Sequence, residues 1–403
     1  MVKMYFKGSN DNGNSEQALK INGELFTQPN IYSIDRPKTV VEGDPSLFIP
    51  TLLDNLYVTI TSSAIERNGD YFIGKRAYNS DYAHSLTITK SEKHTSDLPI
   101  INTLGFLAGL AVKQRYEEKQ VLPKSIELSV DMVTALPIKE YDATTAKAFE
   151  ERFMNNTHEV MVHVGTTFVK VSITFEFVYA LQEGACANYA LILDNKGQWR
   201  NDDIFEELKW EYQLDSFTGE DVFNMKMTCG TDIGEGTTDV GILKGYKQID
   251  DLSGGDDLGV GYAITKALPV FKKAMRFPAL TRHEYMEIVK DSDDAFHVEA
   301  VATLKDNSSD QATLIHKFVE QLVVHGARKQ PRLISVFGGG SITLKDKLYN
   351  PLKAVADDCR GKLLWIPEKY ATTINVEGMD VFLNVLLPQL KEQYMAKKEK
   401  QKA

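Results

Sequence analysis

Two stretches of the chain, one near its start and one past its middle, follow the same plan. A strand-like run, VKMYF, leads into Asp11-Asn12-Gly13-Asn14-Ser15 and then into a second extended run, ALKINGELF. Far downstream, FNMKMTCGT leads into Asp232-Ile233-Gly234-Glu235-Gly236-Thr237-Thr238-Asp239 and then into VGILKGYKQI. Each is a strand, a carboxylate, a glycine two residues on, a hydroxyl-bearing turn and a returning strand. A chain built this way is internally duplicated, with one such hairpin in each half. Its 403 residues suffice for two large lobes or up to four small ones, and exclude a single small module. Val169, Val171, Ile173, Phe175 and Phe177 alternate with polar residues, the period of a strand with one wet face. Helical stretches are expected at 143–154, 311–328 and 378–394, so strands and helices interleave as in an α/β protein. Pro99 to Val112 reads as a buried helix, well short of the roughly 20 apolar residues of a membrane span. The polar run from Asn195 to Glu220 is the best candidate for a boundary or insertion, and the chain ends from Gln393 in a lysine-rich solvated tail.

Composition narrows the function. With 46 basic and 56 acidic side chains the net charge is −10, without the cationic surplus of a protein that coats nucleic acid. Cys186, Cys229 and Cys359 lie far apart with no CxxC, and MVKMYFKGSN has no apolar h-region, so a reducing cytoplasm is expected. There is no GxxxxGK[ST], so a P-loop is out. His158 and His163, near a strand, fit neither HExxH nor a zinc finger, and Cys186 and Cys229 read as core residues.

A hairpin tip of Gly, Ser and Thr gathers backbone N–H groups and hydroxyls into a small concavity that suits phosphate oxygens. Asp11 and Asp232 would repel a bare polyphosphate, so their presence implies a divalent cation between acid and phosphate. Two such tips facing each other would clamp one Mg-nucleotide. An Asn-Gly turn such as DNGNS is also the commonest plain hairpin signal, whereas DIGEGTTD carries more than a plain turn needs.

At these residues the chain resembles the actin-like ATPase superfamily. DNGNS at 11–15 looks like its first phosphate motif and DIGEGTTD at 232–239 like its second. Val336-Phe337-Gly338-Gly339-Gly340-Ser341 resembles its adenosine motif. Further stretches resemble the bacterial plasmid-partition actins of the ParM type: 71–77 (YFIGKRA), 134–137 (TALP), 179–185 (YALQEGA), 254–261 (GGDDLGVG) and 374–379 (INVEGM). Two features depart from that pattern. Lys7-Gly8-Ser9-Asn10 is more polar than the family's buried first strand, and the 195–220 connection is longer than in the smallest relatives.

The resemblance implies a two-lobed α/β fold, the actin-like duplication of a ribonuclease-H-like unit, with a nucleotide cleft between the lobes. Domain I would take 1–183 plus 350–403, with an inserted subdomain at about 30–95. Domain II would take 184–349, with an insertion at about 265–310. Gly13, Asn14, Ser15, Gly234, Gly236, Thr237 and Thr238 would hold the phosphates, and Asp11 and Asp232 would hold Mg²⁺ through its waters. Gly338, Gly339 and Gly340 would face the nucleoside, with Ser341 opening a helix. Asp232 also counts as catalytic, with Glu183, which the resemblance places where the branch positions the attacking water. The implied function is ATP hydrolysis to ADP and phosphate coupled to filament assembly, with GTP use left open. Plasmid DNA would be moved through a DNA-binding adaptor protein, with no direct nucleic-acid or membrane contact. The alternatives are another superfamily member, such as a cell-shape filament protein or a scaffold that binds nucleotide without hydrolysing it, or a small-molecule kinase.

Overall fold

The structure, a computed structural model, describes residues 2–35, 37, 42–80, 83–85 and 92–388. The lysine-rich tail and the end of the third expected helix lie outside the described residues. Two units divide the chain: the first takes residues up to 136, 140–182 and those from 376 on, and the second takes 137–139 and 183–375.

In the first unit, β1 (Val2–Asn12) turns back into β2 (Glu16–Ile21). The run ALKINGELF is not one strand: Asn22 and Gly23, at φ 52° and 89°, form a tight turn that sends β3 (Glu24–Pro29) back along β2. After β4 (Ile31–Ser33), β5 (Tyr57–Thr61), β6 (Gly69–Ile73) and β7 (Ala83–Ser85) comes α1 (Leu98–Lys119). Its Pro99–Val112 stretch is buried throughout, as the sequence reading expects. Gly105 and Gly109 sit one turn apart on α1, where a Cβ would fall 2.0 Å from the Ile73 Cδ1 methyl and 2.4 Å from a Leu56 methyl, so a larger residue would force those side chains to shift. Then follow β8 (Ser125–Leu136), α2 (Ala143–Met154), β9 (His158–Val164) and β10 (Thr167–Gln182). The sheet order is β3-β2-β1-β8-β10-β9-β5-β6-β4-β7.

In the second unit, α3 (Cys186–Ile192), α4 (Glu206–Glu211) and α5 (Gly219–Asn224) precede β11 (Thr228–Ile233), β12 (Thr238–Lys244), β13 (Lys247–Gln248) and β14 (Gly254–Asp256). Helices α6 (Gly261–Met275), α7 (Arg282–Lys290), α8 (His297–Asp306) and α9 (Ser309–Glu320) follow, the last running into a π-helical turn at 321–326. The unit ends with β15 (Leu333–Phe337), α10 (Gly339–Asp358), β16 (Lys362–Trp365), α11 (Glu368–Ala371) and the start of α12 (Ile374–Val381). Its sheet runs β13-β12-β11-β15-β16, with β14 on β12. The duplication is now visible: β3-β2-β1-β8-β10 and β13-β12-β11-β15-β16 share one order, antiparallel hairpin first and parallel strands after.

Some expectations shift. The 195–220 stretch is not a unit boundary, which falls after Gln182. It folds into the second unit, where Arg200 donates to the Ala190 carbonyl and Tyr212 Oη accepts from Leu363 N. Residues 350–375, drawn with domain I from sequence, lie in the second unit, since α10 continues unbroken to Asp358 and β16 pairs with β15. Downstream, β11 begins only at Thr228 because Phe223 and Asn224 close α5.

The polar run at Lys7–Asn10 is strand all the same, and Gly8, Ser9 and Asn10 are buried. Their polar atoms find partners. Ser9 Oγ donates to the Val376 carbonyl at 3.0 Å, and Asn10 Nδ2 donates to Thr103 Oγ1 at 2.8 Å. Gln17 donates to Asn10, and Gln28 to Gln17 in turn. Nearby, Lys20 and Asp380 form a buried ion pair at 3.0 Å. A strand can thus be buried and polar when a hydrogen-bonded chain satisfies it. Among the described residues the three cysteines are buried and joined in no disulfide, and His158 is buried between Ser62 Oγ and the Phe153 carbonyl, its imidazole pKa pushed down by burial.

Candidate functional site

In the second hairpin the antiparallel register sets Asp232 opposite Asp239 and Ile233 opposite Thr238. Gly234 N donates to the Thr237 carbonyl at 2.9 Å and closes the tip. The tip's carbonyls all turn one way: Gly236 accepts from Gly259 N at 2.9 Å, Gly234 from Val260 N at 3.0 Å and Glu235 from Gly261 N at 2.8 Å. These three amides form the approach to α6. At Gly259 a Cβ would lie 2.1 Å from the Glu235 oxygen, so the position admits only glycine. With the carbonyls taken, the amides of Glu235, Gly236 and Thr237 donate to no backbone carbonyl among the described residues. A row of such amides is an anion-binding concavity.

The hydroxyls behave differently from the sequence expectation. Thr238 is buried and donates to the Leu258 carbonyl at 3.1 Å, Thr237 donates to Asp239 Oδ2 at 2.9 Å, and Ser341 donates to the Gly338 carbonyl at 2.8 Å. They brace the loops, and the amides are what the tip offers. Asp239, buried, also accepts from Ile138 N at 3.0 Å, which fastens the 137–139 tripeptide to the hairpin. Beside it, Lys139 donates to Asp257 at 2.8 Å, a bond that raises the lysine pKa.

Parallel pairing of β11 with β15 brings Asp232 beside Phe337, and hence the Gly338–Ser341 turn beside the tip. Gly338 has φ 87°, and a Cβ there would lie 2.4 Å from Asp232 Oδ1 and 2.5 Å from the Ile233 carbonyl. At Gly340 it would lie 2.6 Å from Ile233 Cγ2, whereas Gly339 has nothing nearer than 3.9 Å. So Gly338 and Gly340 are demanded by the fold, and α10 starts at Gly339, two residues before Ser341. Asp232, partly exposed, accepts from Asn375 Nδ2 at 2.6 Å. Asn375 Oδ1 is buried without a hydrogen-bond partner among the described residues. Glu235 is held by Arg282, the first residue of α7, whose Nε donates at 2.9 Å; the same guanidinium reaches the Gly261 carbonyl and Thr265. Sequence reasoning did not name Asn375, Asp239 or Arg282 as site residues. Asp239 and Asn375 stood within quoted motifs, at 232–239 and 374–379, without a role of their own, and Arg282 stood in none.

Glu183 is partly exposed and follows β10 directly. Gly184, at φ 82°, lies over the facing pair Gly230 and Gly241 of β11 and β12: Cβ atoms on those two would sit 2.8 and 3.1 Å from its carbonyl oxygen. Glu183 therefore belongs to the same unit as Asp232, Gly234, Gly236, Thr237, Thr238 and Gly338–Ser341.

Asp11, Gly13, Asn14 and Ser15 belong to the first unit. Here too the tip's carbonyls are turned back, by another device. Asn30, buried, donates its side-chain Nδ2 to the Gly13 carbonyl at 2.6 Å and its backbone N–H to the Ser15 carbonyl at 2.9 Å. The amides of Gly13, Asn14 and Ser15 are again without a backbone acceptor among the described residues. Among the described residues no three His, Cys, Asp or Glu side chains cluster as a metal cage. Single, partly exposed carboxylates beside amide-lined tips suit a hard cation such as Mg²⁺, which keeps most of its waters and takes its remaining ligands from phosphate. No helix among the described residues is long and apolar enough to cross a membrane.

Comparison with known proteins yields matches in structure alone. No protein-family model and no curated protein sequence matches the chain. Among solved structures, the actin-like protein Alp7A superposes with a TM-score of 0.68 at 16% identity, over 98% of this chain and 100% of that one. Bacillus thuringiensis ParM, solved with ATP, gives 0.60 at 16% identity over 96% and 99%, and a pCBH ParM quadruple mutant described as non-polymerisable gives 0.60 at 16% over 94% and 99%. Likeness over nearly the whole length at this identity establishes the fold: the chain has the actin-like α/β fold.

Proposed function

We propose that this chain is an actin-like ATPase that assembles into filaments with Mg-ATP and moves plasmid DNA through an adaptor protein. The observation that carries the reading is the second hairpin, where three consecutive amides leading into α6 take the carbonyls of Gly234, Glu235 and Gly236 and the amides of Glu235, Gly236 and Thr237, a few residues from Asp232, donate to no backbone carbonyl among the described residues. The first hairpin arrives at the same arrangement by different bonds, and its tip is read as taking phosphate too. The fold it shares with a ParM solved with ATP supports nucleotide as the ligand.

Phosphoryl transfer to water needs positioning and charge neutralisation more than covalent help. Amides of Gly13, Asn14, Ser15, Gly236 and Thr237 hold phosphate oxygens, while Gly338–Gly340 let the nucleoside approach the backbone closely. Asp11 and Asp232 would hold Mg²⁺, which would neutralise charge on the phosphates. Asn375 fixes the Asp232 carboxylate by donating to it. Glu183 orients the attacking water as general base. Contacts that exist only while the γ-phosphate is present make the chain's conformation depend on nucleotide state, and a head-to-tail contact that does not close on itself then gives a filament. An adaptor agrees with a chain of net charge −10, which would not coat DNA.

Electron microscopy of the purified protein with Mg-ATP, Mg-ADP and a non-hydrolysable analogue, run beside a phosphate-release assay, tests this reading. Filaments with ATP and the analogue that disassemble as ATP is consumed support it. Substrate-stimulated turnover without assembly points to a kinase instead, and no nucleotide binding at all overturns it.

A further inference from the structure

Among the described residues the last part of β10 has no strand on one side. β9 pairs with it only across Thr167–Ile173, while β8 accompanies it on the other side through to Gln182. Beyond Ile173, and past an irregularity at Phe175–Phe177, the amides of Val178 and Ala180 face the open edge, and both residues are buried. A buried amide without an acceptor is costly. Here the acceptors come from a helix: Glu150 Oε1 accepts from Ala180 N at 2.9 Å and Met154 Sδ from Val178 N at 3.2 Å. The spacing explains why a helix can stand in for a strand. Four residues of α2 rise about 6 Å and two residues of β10 about 6.6 Å, so an i, i+4 pair matches an i, i+2 pair.

We propose that Glu150 is a positioning residue for hydrolysis: with Met154 it replaces the missing edge strand and fixes the strand end from which the chain enters Glu183, three residues after Ala180. This rests on the role proposed above for Glu183. Burial pushes the Glu150 carboxyl up to about 7. The charged and titratable groups that face it are Lys147 and Glu151 on its own helix and the Tyr179 hydroxyl on β10. The bond to Ala180 N is stronger to a carboxylate than to a neutral acid, so the tie tightens as pH rises through neutrality.

The test uses the full chain as wild type, Glu150→Leu and Glu150→Gln. Glutamine keeps an acceptor oxygen and cannot titrate. Three quantities are read: kcat and KM for Mg-ATP, affinity for a fluorescent nucleotide analogue, and hydrogen exchange of peptides spanning 174–182. The expected result is a fall in kcat of about tenfold for Glu150→Leu with KM within about twofold, faster exchange at 178–182, and recovery of most of the loss in Glu150→Gln. In wild type kcat should climb with pH through about 7 and in Glu150→Gln stay flat, an arm that does not need the leucine variant to fold. Unchanged kcat in Glu150→Leu, equal damage in both variants, or a wild-type profile without that limb overturns the inference. A wild type that binds nucleotide but never releases phosphate instead overturns the hydrolytic reading itself, and is told apart by being seen before any substitution.

Discussion

The two hairpins solve one problem with different chemistry. In each, the carbonyls of the tip are drawn aside so that the amides are left to face an anion. The second does it with backbone alone, three successive amides from Gly259 to Gly261, and needs glycine where the segments touch. The first does it with one residue, Asn30, which spends both its side chain and its own N–H on the Gly13 and Ser15 carbonyls. A backbone device is hard to remove by substitution, whereas a side-chain device can be deleted in one step. The first tip is therefore the more fragile half, although its strand is held by the larger buried polar network.

Substitutions can break or sharpen that contrast. The largest effect is expected from the carboxylates: Asp232→Ala and Asp11→Ala should each lower phosphate release by roughly 100-fold. Equal losses would show that both hairpins serve turnover, and an Asp11→Ala chain with normal turnover would leave the second hairpin working alone. Next is Gly338→Ala, which must place a methyl 2.4 Å from Asp232 Oδ1 at φ 87°. It should cost about 1–3 kcal/mol in urea unfolding and weaken nucleotide binding at least tenfold, while Gly339→Ala, in a helix with open space, should leave the stability intact. Asn30→Ala should cost about 1–3 kcal/mol, with faster hydrogen exchange confined to 13–30 and no change at 228–244. Uniform exchange changes would show that the first hairpin has no local support of its own. Arg282→Met leaves the Glu235 carboxylate without its main partner and should weaken nucleotide binding a few-fold, in a salt-dependent way, as titration of a fluorescent analogue would show.

The smallest effect is on stability against pH. Glu150 is held at about 7 by burial against 4.5 for the ordinary carboxyl, so the folded chain keeps its proton over a range where the unfolded chain has lost it. Stability from this group is present below about 4.5 and fades as pH rises through about 7. Thermal melts at pH 5 and 8 should show that slope in wild type and less of it in Glu150→Gln.

Much of the fold was legible because periodicity and turn chemistry are local. Helix α2 falls at 143–154 as expected, and β10 at the alternating run. The duplication could be read from two acid-glycine turns. The first strand looked doubtful because Ser9 and Asn10 are polar, and their partners Val376 and Thr103 are distant in sequence. For the same reason Asn375 and Arg282 stayed hidden: each acts on the second hairpin from more than 40 residues away. The hydroxyls of Thr237 and Thr238 show the converse. Their types suit phosphate, but only coordinates show them already bonded inside the protein.

The Lys20–Asp380 pair has a consequence for how the protein is made. The second unit is one continuous run apart from three residues, but the first is finished only when the segment after residue 375 has left the ribosome. Until then Lys20 has no counter-ion and Ser9 no carbonyl to bind. A nascent chain cannot comfortably bury a lone ammonium, so β1 and β2 should stay loosely packed throughout most of translation and lock last. The half that is translated first would then be the half that completes its folding last, and chains truncated before Asp380 should be the ones that chaperones and proteases retain.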